Sequence, residues 1–411
     1  MSPVSGMRRV ALIVLLCAGP RFLYWWLSGP PAGGAYHWQL SDSLLQHGAW
    51  LYDGAPTAAF EPLFPLLIAL VRLVVDSIAA VVVVQIAVSC VGAVLIDRLA
   101  TRLSGSPRAG LVAAALFSLY PYFVRQSVGL LELPMFLTLM IAAWVAWTRD
   151  RPAVAVAMLT LATLTRAFVA PLVVVALVLV AIRNPRSAVR AAIVATLLLA
   201  PWMIHNYSVA GRPWPSRHEQ LLFASNNPYT IKVVPRHDMD LFLYAAEGVL
   251  ASVQGLPEPV PNIDREYARA AADWWRADPM GAMWVKLRSA AYLFVPRMIP
   301  YEPADEDSQL VIEDDGTVYT SMPRTRPFLQ EIAHAGAAAI VLVVGLVGWW
   351  GRHHAWRVDL LLLATIVLVT LMAGLYFPTT RLRATIDPIL MVYAACAVAR
   401  FRPPSDAPRQ R

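Results

Sequence analysis

The chain has 411 residues, 58% hydrophobic and 15% charged, with mean hydropathy +0.55 and formal net charge +7. That balance excludes an ordinary soluble domain and describes a polytopic membrane protein. The cations sit in short clusters between apolar segments, as topology signals do, so the positive charge implies no nucleic-acid partner.

Met7, Arg8 and Arg9 precede a hydrophobic run from Val10 to about Ser28, read as a retained first span because no small-residue cleavage site follows it. The next segment, residues 29–62, is a first outer loop carrying Asp42, Asp53 and Glu61 among aromatics and prolines, directly before a second apolar segment. Further cationic clusters follow at Arg98, Arg102 and Arg108, at Arg149 and Arg151, at Arg183, Arg186 and Arg190, at Arg352 and Arg357, and at Arg400 and Arg402. Each lies one apolar hairpin beyond the last, which gives an all-α bundle of about ten transmembrane helices with both ends cytoplasmic. The stretch Pro152 to Ile182 is short for a hairpin, but Thr165-Arg166 interrupts it halfway, so it reads as two short or tilted spans. Cys17, Cys90 and Cys396 lie within or at the ends of apolar runs without a CxxC, and imply neither a disulfide framework nor a metal site.

The expected organisation is an N-terminal transmembrane module (1–206), an extracytoplasmic loop region with interfacial helices (207–326), and C-terminal transmembrane helices with a short cytoplasmic tail (327–411). On this topology Asp238 and Asp314 are outside the cytoplasm and Arg108, Arg186 and Arg352 inside. Within the loop region, Asp264 to Asp278 has helical spacing with Trp274 and Trp275 adjacent, and Met280 to Val295 is apolar but interrupted by Lys286 and Arg288; both read as interfacial helices. The acidic run from Glu302 ends in Asp314-Asp315-Gly316, a hairpin-type turn signal without EF-hand spacing. No internal repeat and no Gly-rich phosphate loop is present.

Five cations oppose the positive-inside bias: Arg125, Arg166, His205, Arg381 and Arg383 fall at or near outer ends of spans. Each alone is explained as well by snorkelling to headgroups or by pairing with a local acid. Together they point to a phosphate pocket, for which the planar fork of Arg is suited. Glu132 is the matching acid at the outer start of the fourth span, where a carboxylate also offsets the helix dipole. Glu61 admits the same bland reading at the start of its own apolar helix, Asp53 reads as a turn residue, and exposure alone accounts for Asp42 on a short surface helix.

Five segments in order, LSDSLLQHGAW with PTAAFEPLFPLLIAL, LYPYFVRQSVGLLELPMFLTLM, LATLTRAFVAPLVV, APWMIHNYSVAGRPWP with ASNNPYT, and TTRLRATIDPIL, resemble the GT-C fold glycosyltransferases that use polyprenyl-phosphate sugars. That group includes protein O-mannosyltransferases and lipid A aminoarabinose transferases. The resemblance implies a GT-C-like bundle with its active site on the extracytoplasmic face of the plasma membrane. It places the first-loop Glu-Pro on Glu61-Pro62, the second-loop acid on Glu132, the Thr-Arg on Thr165-Arg166, and the basic entry to the last span on Arg381 and Arg383. It further implies a polyprenyl-phosphate sugar as donor and a glycan, lipid or protein as acceptor, and leaves open the sugar and any divalent cation. The sequence departs from the family early in the first loop, where many relatives have an Asp and this chain reads Gly33-Gly34-Ala35-Tyr36-His37. The base then falls to Asp42 or Glu61, or the chain is an inactive scaffold.

The chemistry asks for the same groups independently. Sugar transfer from a lipid phosphate needs a base for the acceptor hydroxyl proton and a group that stabilises the departing phosphate. Phosphate leaves as a stable anion, so one carboxylate and an Arg clamp suffice where a glycosidase needs two carboxyl groups. A lipid-linked sugar translocase is the alternative from another class, but no repeated half or matched pair of broken spans supports it.

Overall fold

A computed structural model of the chain describes residues 3–29, 34–215, 217–304, 307–313, 317–352 and 359–400. It is predominantly helical and divides into two compact units. The first comprises residues 1–213, 339–365 and 385–411, the second 214–338 and 366–384.

The first unit opens with α1 (Pro3–Ser28), followed by α2 (Ala35–His47) and a two-residue hairpin of β1 (Leu51–Tyr52) and β2 (Ala55–Pro56). The apolar segment after the first loop is then split, because α3 (Leu63–Arg72) ends before α4 (Ile78–Ser104) begins. Ten residues of helix reach about 15 Å, too short to span, so the second long helix is α4. Ser77 accepts a hydrogen bond from the Ala79 N–H and so caps the start of α4, while Gly105, at φ 71°, ends it. Beyond lie α5 (Pro107–Leu119), α6 (Pro121–Gln126), α7 (Leu133–Thr148), α8 (Pro152–Thr163), α9 (Ala170–Arg183) and α10 (Pro185–Ala210). Asn184 caps α10 through Ser187 N–H, 3.1 Å away.

In the second unit α11 (His218–Ser225), α12 (Thr230–Val233), α13 (Met239–Gln254), α14 (Ile263–Ala277) and α15 (Pro279–Tyr292) enclose a core built on Phe223, Phe242, Leu250 and Tyr267. The expected interfacial helices are present as α14 and α15, but they differ. Helix α14 buries Tyr267, Ala270 and Ala271 and donates from Trp275 Nε1 to Asn226 Oδ1 at 2.9 Å, so it is a packed element. Helix α15 leaves Met280, Met283, Trp284 and Leu287 exposed at i, i+3, i+4 and i+7, an apolar stripe suited to a membrane interface. Strands β3 (Leu310–Ile312) and β4 (Val318–Thr320) pair antiparallel around the expected turn, whose residues Asp314-Asp315-Gly316 lie outside the described residues.

The chain continues through α16 (Phe328–Trp350), α17 (Leu360–Leu375), α18 (Thr380–Arg383) and α19 (Asp387–Arg400). Eleven apolar helices of ten residues or more occur among the described residues: α1, α3 to α5, α7 to α10, α16, α17 and α19. Among the described residues four are long and apolar enough to cross a membrane: Gly6–Ser28, Ile78–Ser104, Pro185–Ala210 and Phe328–Trp350. The stretch around Thr165-Arg166 is a break between two short helices, where the polar pair interrupts the apolar run, with one turn of 3₁₀ helix at Ala167–Val169. Arg352, read from the sequence as part of a cytoplasmic cationic cluster, is buried, holds Asp359 at 3.1 Å and donates to the Leu103 carbonyl. Arg357 and Arg402 lie outside the described residues.

Candidate active site

The site is assembled where four segments of the first unit meet. Gly34, at φ 73°, brings the start of α2 so close to the loop before α7 that a Cβ would lie 1.8 Å from the Leu130 carbonyl oxygen. One turn into α2, His37 is buried and set edge-on to Phe64 at 4.8 Å. Gln85 of α4 donates from Nε2 to the Leu131 carbonyl at 2.9 Å and fixes the loop from the other side. That loop ends in Glu132, directly before α7 and likewise buried.

Glu132 is gripped on both oxygens. His37 Nε2 lies 3.3 Å from Oε2, and Arg166 Nε lies 3.3 Å from Oε1. The Arg166 guanidinium stands in the break after α8, 5.5 Å from the ring centre of Phe136 and 5.4 Å from that of Phe168. Two aromatic faces that close attract the cation and restrict its orientation.

Glu61 docks into the same break. Leu63 N–H donates to the Leu164 carbonyl at 3.0 Å, and Ala167 N–H donates to Glu61 Oε1 at 2.8 Å. Withdrawal from water pushes the Glu61 carboxyl above its ordinary value of 4.5, and the charge of Glu132 pushes the same way. The Ala167 N–H and the Arg166 charge act against that rise. The outcome is two carboxylates under the charge of one guanidinium, which pairs with Glu132 directly.

Of the residues singled out from the sequence, the structure therefore brings together Glu61, Glu132 and Arg166. Asp42 belongs to a different cluster, as its Oδ1 pairs with Arg72 Nη2 at 2.6 Å. Arg72 also holds Asp76 at 2.6 Å and lies over the Trp38 ring at 4.0 Å. Arg72 ends α3 and Glu61 precedes its start, so the two acids have their partners at opposite ends of that helix. Asp53 is the expected turn residue, at φ 51° and accepting from Gln39 Nε2. His205 Nε2 donates to the Thr57 carbonyl at 2.9 Å and its ring stacks on Trp202, so it braces the first loop. Arg125, half-buried in the last turn of α6, makes no ion pair among the described residues.

Arg381 and Arg383 belong to the second unit. Arg383 is buried, donates to the Val295 carbonyl at 2.5 Å, and has its Nη2 the same distance from His334 Nε2. Arg381 acts on Asp238, the cap of α13: burial raises that carboxyl and the Arg381 charge lowers it.

His37 is the member that sequence reasoning passed over. It stands in the segment where the family pattern asks for an acid, and the signal was the residue present rather than the one missing. No group of three or more His, Cys, Asp or Glu able to hold a metal occurs among the described residues. Around Glu132 the pairing guanidinium opposes a second cation, so this donor set does not fit a divalent ion.

No family model matches the chain, and no curated protein does. Solved structures that share its fold include the following. The archaeal oligosaccharyltransferase AglB of Archaeoglobus fulgidus, in complex with an inhibitory peptide and a dolichol-phosphate, is 13% identical with a TM-score of 0.54 over 96% of this chain and 50% of that one. An Archaeoglobus fulgidus oligosaccharyltransferase in the apo form gives 12% identity and a TM-score of 0.55 over the same shares. The form tethered to an acceptor peptide containing the NVT sequon gives 12% and 0.50 over 97% and 50%. The chain thus spans about half the length of the structures it matches. AglB is a GT-C fold glycosyltransferase, and this chain shares that fold.

Proposed function

We propose that the chain is a membrane glycosyltransferase that moves a sugar from a polyprenyl-phosphate-linked donor to an acceptor hydroxyl on the extracytoplasmic face. The observation that carries this reading is the meeting of Glu61, Glu132, Arg166 and His37 from four separate segments of a GT-C fold. The solved oligosaccharyltransferase with dolichol-phosphate and peptide ligands supports a lipid-linked donor.

In this reading Glu61 is the base. The acceptor oxygen attacks the anomeric carbon as the hydroxyl proton passes to Glu61, and the bond from that carbon to the phosphate oxygen breaks with its electron pair going to the phosphate. One displacement inverts the anomeric centre. Burial that raises the Glu61 pKa makes its carboxylate a stronger proton acceptor. Arg166 supplies positive charge for the departing phosphate, held by Glu132 and its two aromatic neighbours so that it need not reorganise during the step. Glu132 and His37 are positioning residues. Any contribution from Arg381 and Arg383 to the phosphate is part of the same proposal, as is passage of the shorter apolar helices across the bilayer.

The test is consumption of labelled polyprenyl-phosphate sugar by the purified parent and by Glu61→Gln, Asp42→Asn and Glu132→Gln, with donor binding measured separately. Glu61→Gln keeps the shape but loses the base, so turnover falls by about 10²-fold or more with binding retained. Asp42→Asn stays within about threefold of the parent, since it touches only the Arg72 cluster. Parent-like turnover in all three variants would overturn the carboxylate mechanism. A parent that consumes nothing but carries the lipid-linked sugar across the bilayer would replace it with translocation.

A further inference from the structure

Helices α1 and α4 of the first unit run antiparallel, with Arg9 of α1 on Asp97 of α4 at one end and Cys90 Sγ 3.8 Å from the Val14 carbonyl further along. Between them lies an open groove of about 590 Å³. Val10, Val14, Ala18 and Phe22 form one wall at successive steps of four residues, and Val91 contributes to the other. Its one charged lining residue is Arg98, an exposed side chain that makes no ion pair among the described residues. The neighbouring Arg9 has its charge taken up by Asp97.

We propose that this groove binds a single anionic phospholipid, with one acyl chain along α1 and the headgroup phosphate on Arg98. Dimension and charge both favour that occupant. From Val10 to Phe22 the groove runs about 18 Å along the helix, close to the depth of one leaflet's hydrocarbon, about half of 30 Å. An apolar slot of leaflet depth with a cation at its mouth matches an acyl chain ending in a phosphate, and Arg grips phosphate with its fork. The polyprenyl donor is a different case. The proposed donor site is reached through Gln85, which holds the loop of Glu132, and Gln85 is thirteen residues before Arg98 on α4, about 20 Å away. A donor phosphate at Arg166 therefore does not sit on Arg98, and the groove inference stands independently of the transferase reading.

The experiment is native mass spectrometry of the delipidated full chain, titrated with phosphatidylglycerol and phosphatidylcholine of identical acyl chains. Inorganic phosphate and polyprenyl phosphate serve as competitors. Phosphatidylglycerol is retained about fivefold more tightly, the effect of one interfacial cation. Arg98→Gln removes an exposed side chain without a pairing acid, leaves the thermal midpoint unchanged and equalises the two lipids. Ala87→Phe, which fills the slot, removes both adducts, and Val14→Trp from the opposite wall does the same. Inorganic phosphate displaces nothing, because the acyl chain supplies the binding area. The proposal is overturned if Arg98→Gln keeps the headgroup preference, if both filled variants keep their adducts, or if polyprenyl phosphate displaces phosphatidylglycerol from the parent.

Discussion

Arg166, in the break between α8 and α9, forms an ion pair with Glu132 at the start of α7, with Nε 3.3 Å from Oε1 and neither side chain more than 14% exposed. A guanidinium so placed satisfies the carboxylate beside it and still presents charge to a third group, which a lysine ammonium cannot do with a fixed fork. Arg166→Lys therefore lowers kcat/KM by at least about tenfold with a parent-like melting midpoint. Arg381→Lys and Arg383→Lys test the wider clamp by donor binding. Arg383 already holds His334 and two backbone carbonyls, so its variant also loses stability. If all three Lys variants bind lipid-phosphate donor as the parent does, the clamp is wrong.

Gly34 is the second test, because it decides where His37 stands. A positive φ costs an ordinary L residue about 1–2 kcal/mol, and here the added Cβ also meets the Leu130 carbonyl at 1.8 Å. Gly34→Ala is expected to destabilise by at least about 2 kcal/mol, read as a lowered thermal midpoint, and to reduce turnover together with it. Gly48→Ala also changes a glycine at positive φ, but nothing lies within 4 Å of the Cβ it would acquire. It therefore bears the conformational cost alone. An equal loss in both variants would remove the argument from close approach.

Much of this was legible in the chain because apolar periodicity and cationic clusters are local signals. The break at Thr165-Arg166 shows in the sequence because those two polar residues interrupt an apolar run halfway, and Glu61, Glu132 and Arg166 each stand out there as charges at the ends of apolar segments. What was not legible was the partnering. Asp42 and Glu61 share one loop, yet they have their partners at opposite ends of α3, and nothing local to Asp42 announces that Arg72, 30 positions later, takes it. Arg352 counted as a topology cation because its acid, Asp359, lies seven positions later. His37 and Glu132, 95 positions apart, show the same limit. Long-range ion pairs are set by packing, and no periodicity reports them.

The second unit offers a pH test apart from the proposed chemistry. His237 is buried, with Nδ1 3.0 Å from Thr320 Oγ1 and 3.3 Å from Glu302 Oε2. Burial lowers its pKa below 6.5, and the Glu302 charge opposes that shift without cancelling it. The folded chain then binds fewer protons than the unfolded one once pH drops below 6.5, so stability is level above that value and declines beneath it until the folded group also protonates. Thermal midpoints between pH 7.5 and 5.5 are expected to fall in the parent and to flatten in His237→Gln. A variant with the parent's full slope would assign the decline to other groups.

The last prediction is topological, and the structure sharpens its choice of positions. The positive-inside reading places Arg108 and Arg186 in the cytoplasm and the region around Asp238 outside it. Arg108 and Arg186 are exposed, so cysteines there react without disturbing the fold. Arg352 is unsuitable, since its removal strands the buried carboxylate of Asp359, and Asp238 caps α13. Asp240, exposed in the first turn of that helix, replaces it. With Cys17, Cys90 and Cys396 all buried, the parent gives a low background to a membrane-impermeant maleimide. In intact cells Asp240→Cys is expected to label, whereas Arg108→Cys and Arg186→Cys label after permeabilisation. The reverse pattern would invert the bundle. Labelling of Asp240→Cys and Arg186→Cys on the same side would instead show that an even number of crossings separates them, and the count of spans between α10 and the second unit would have to change.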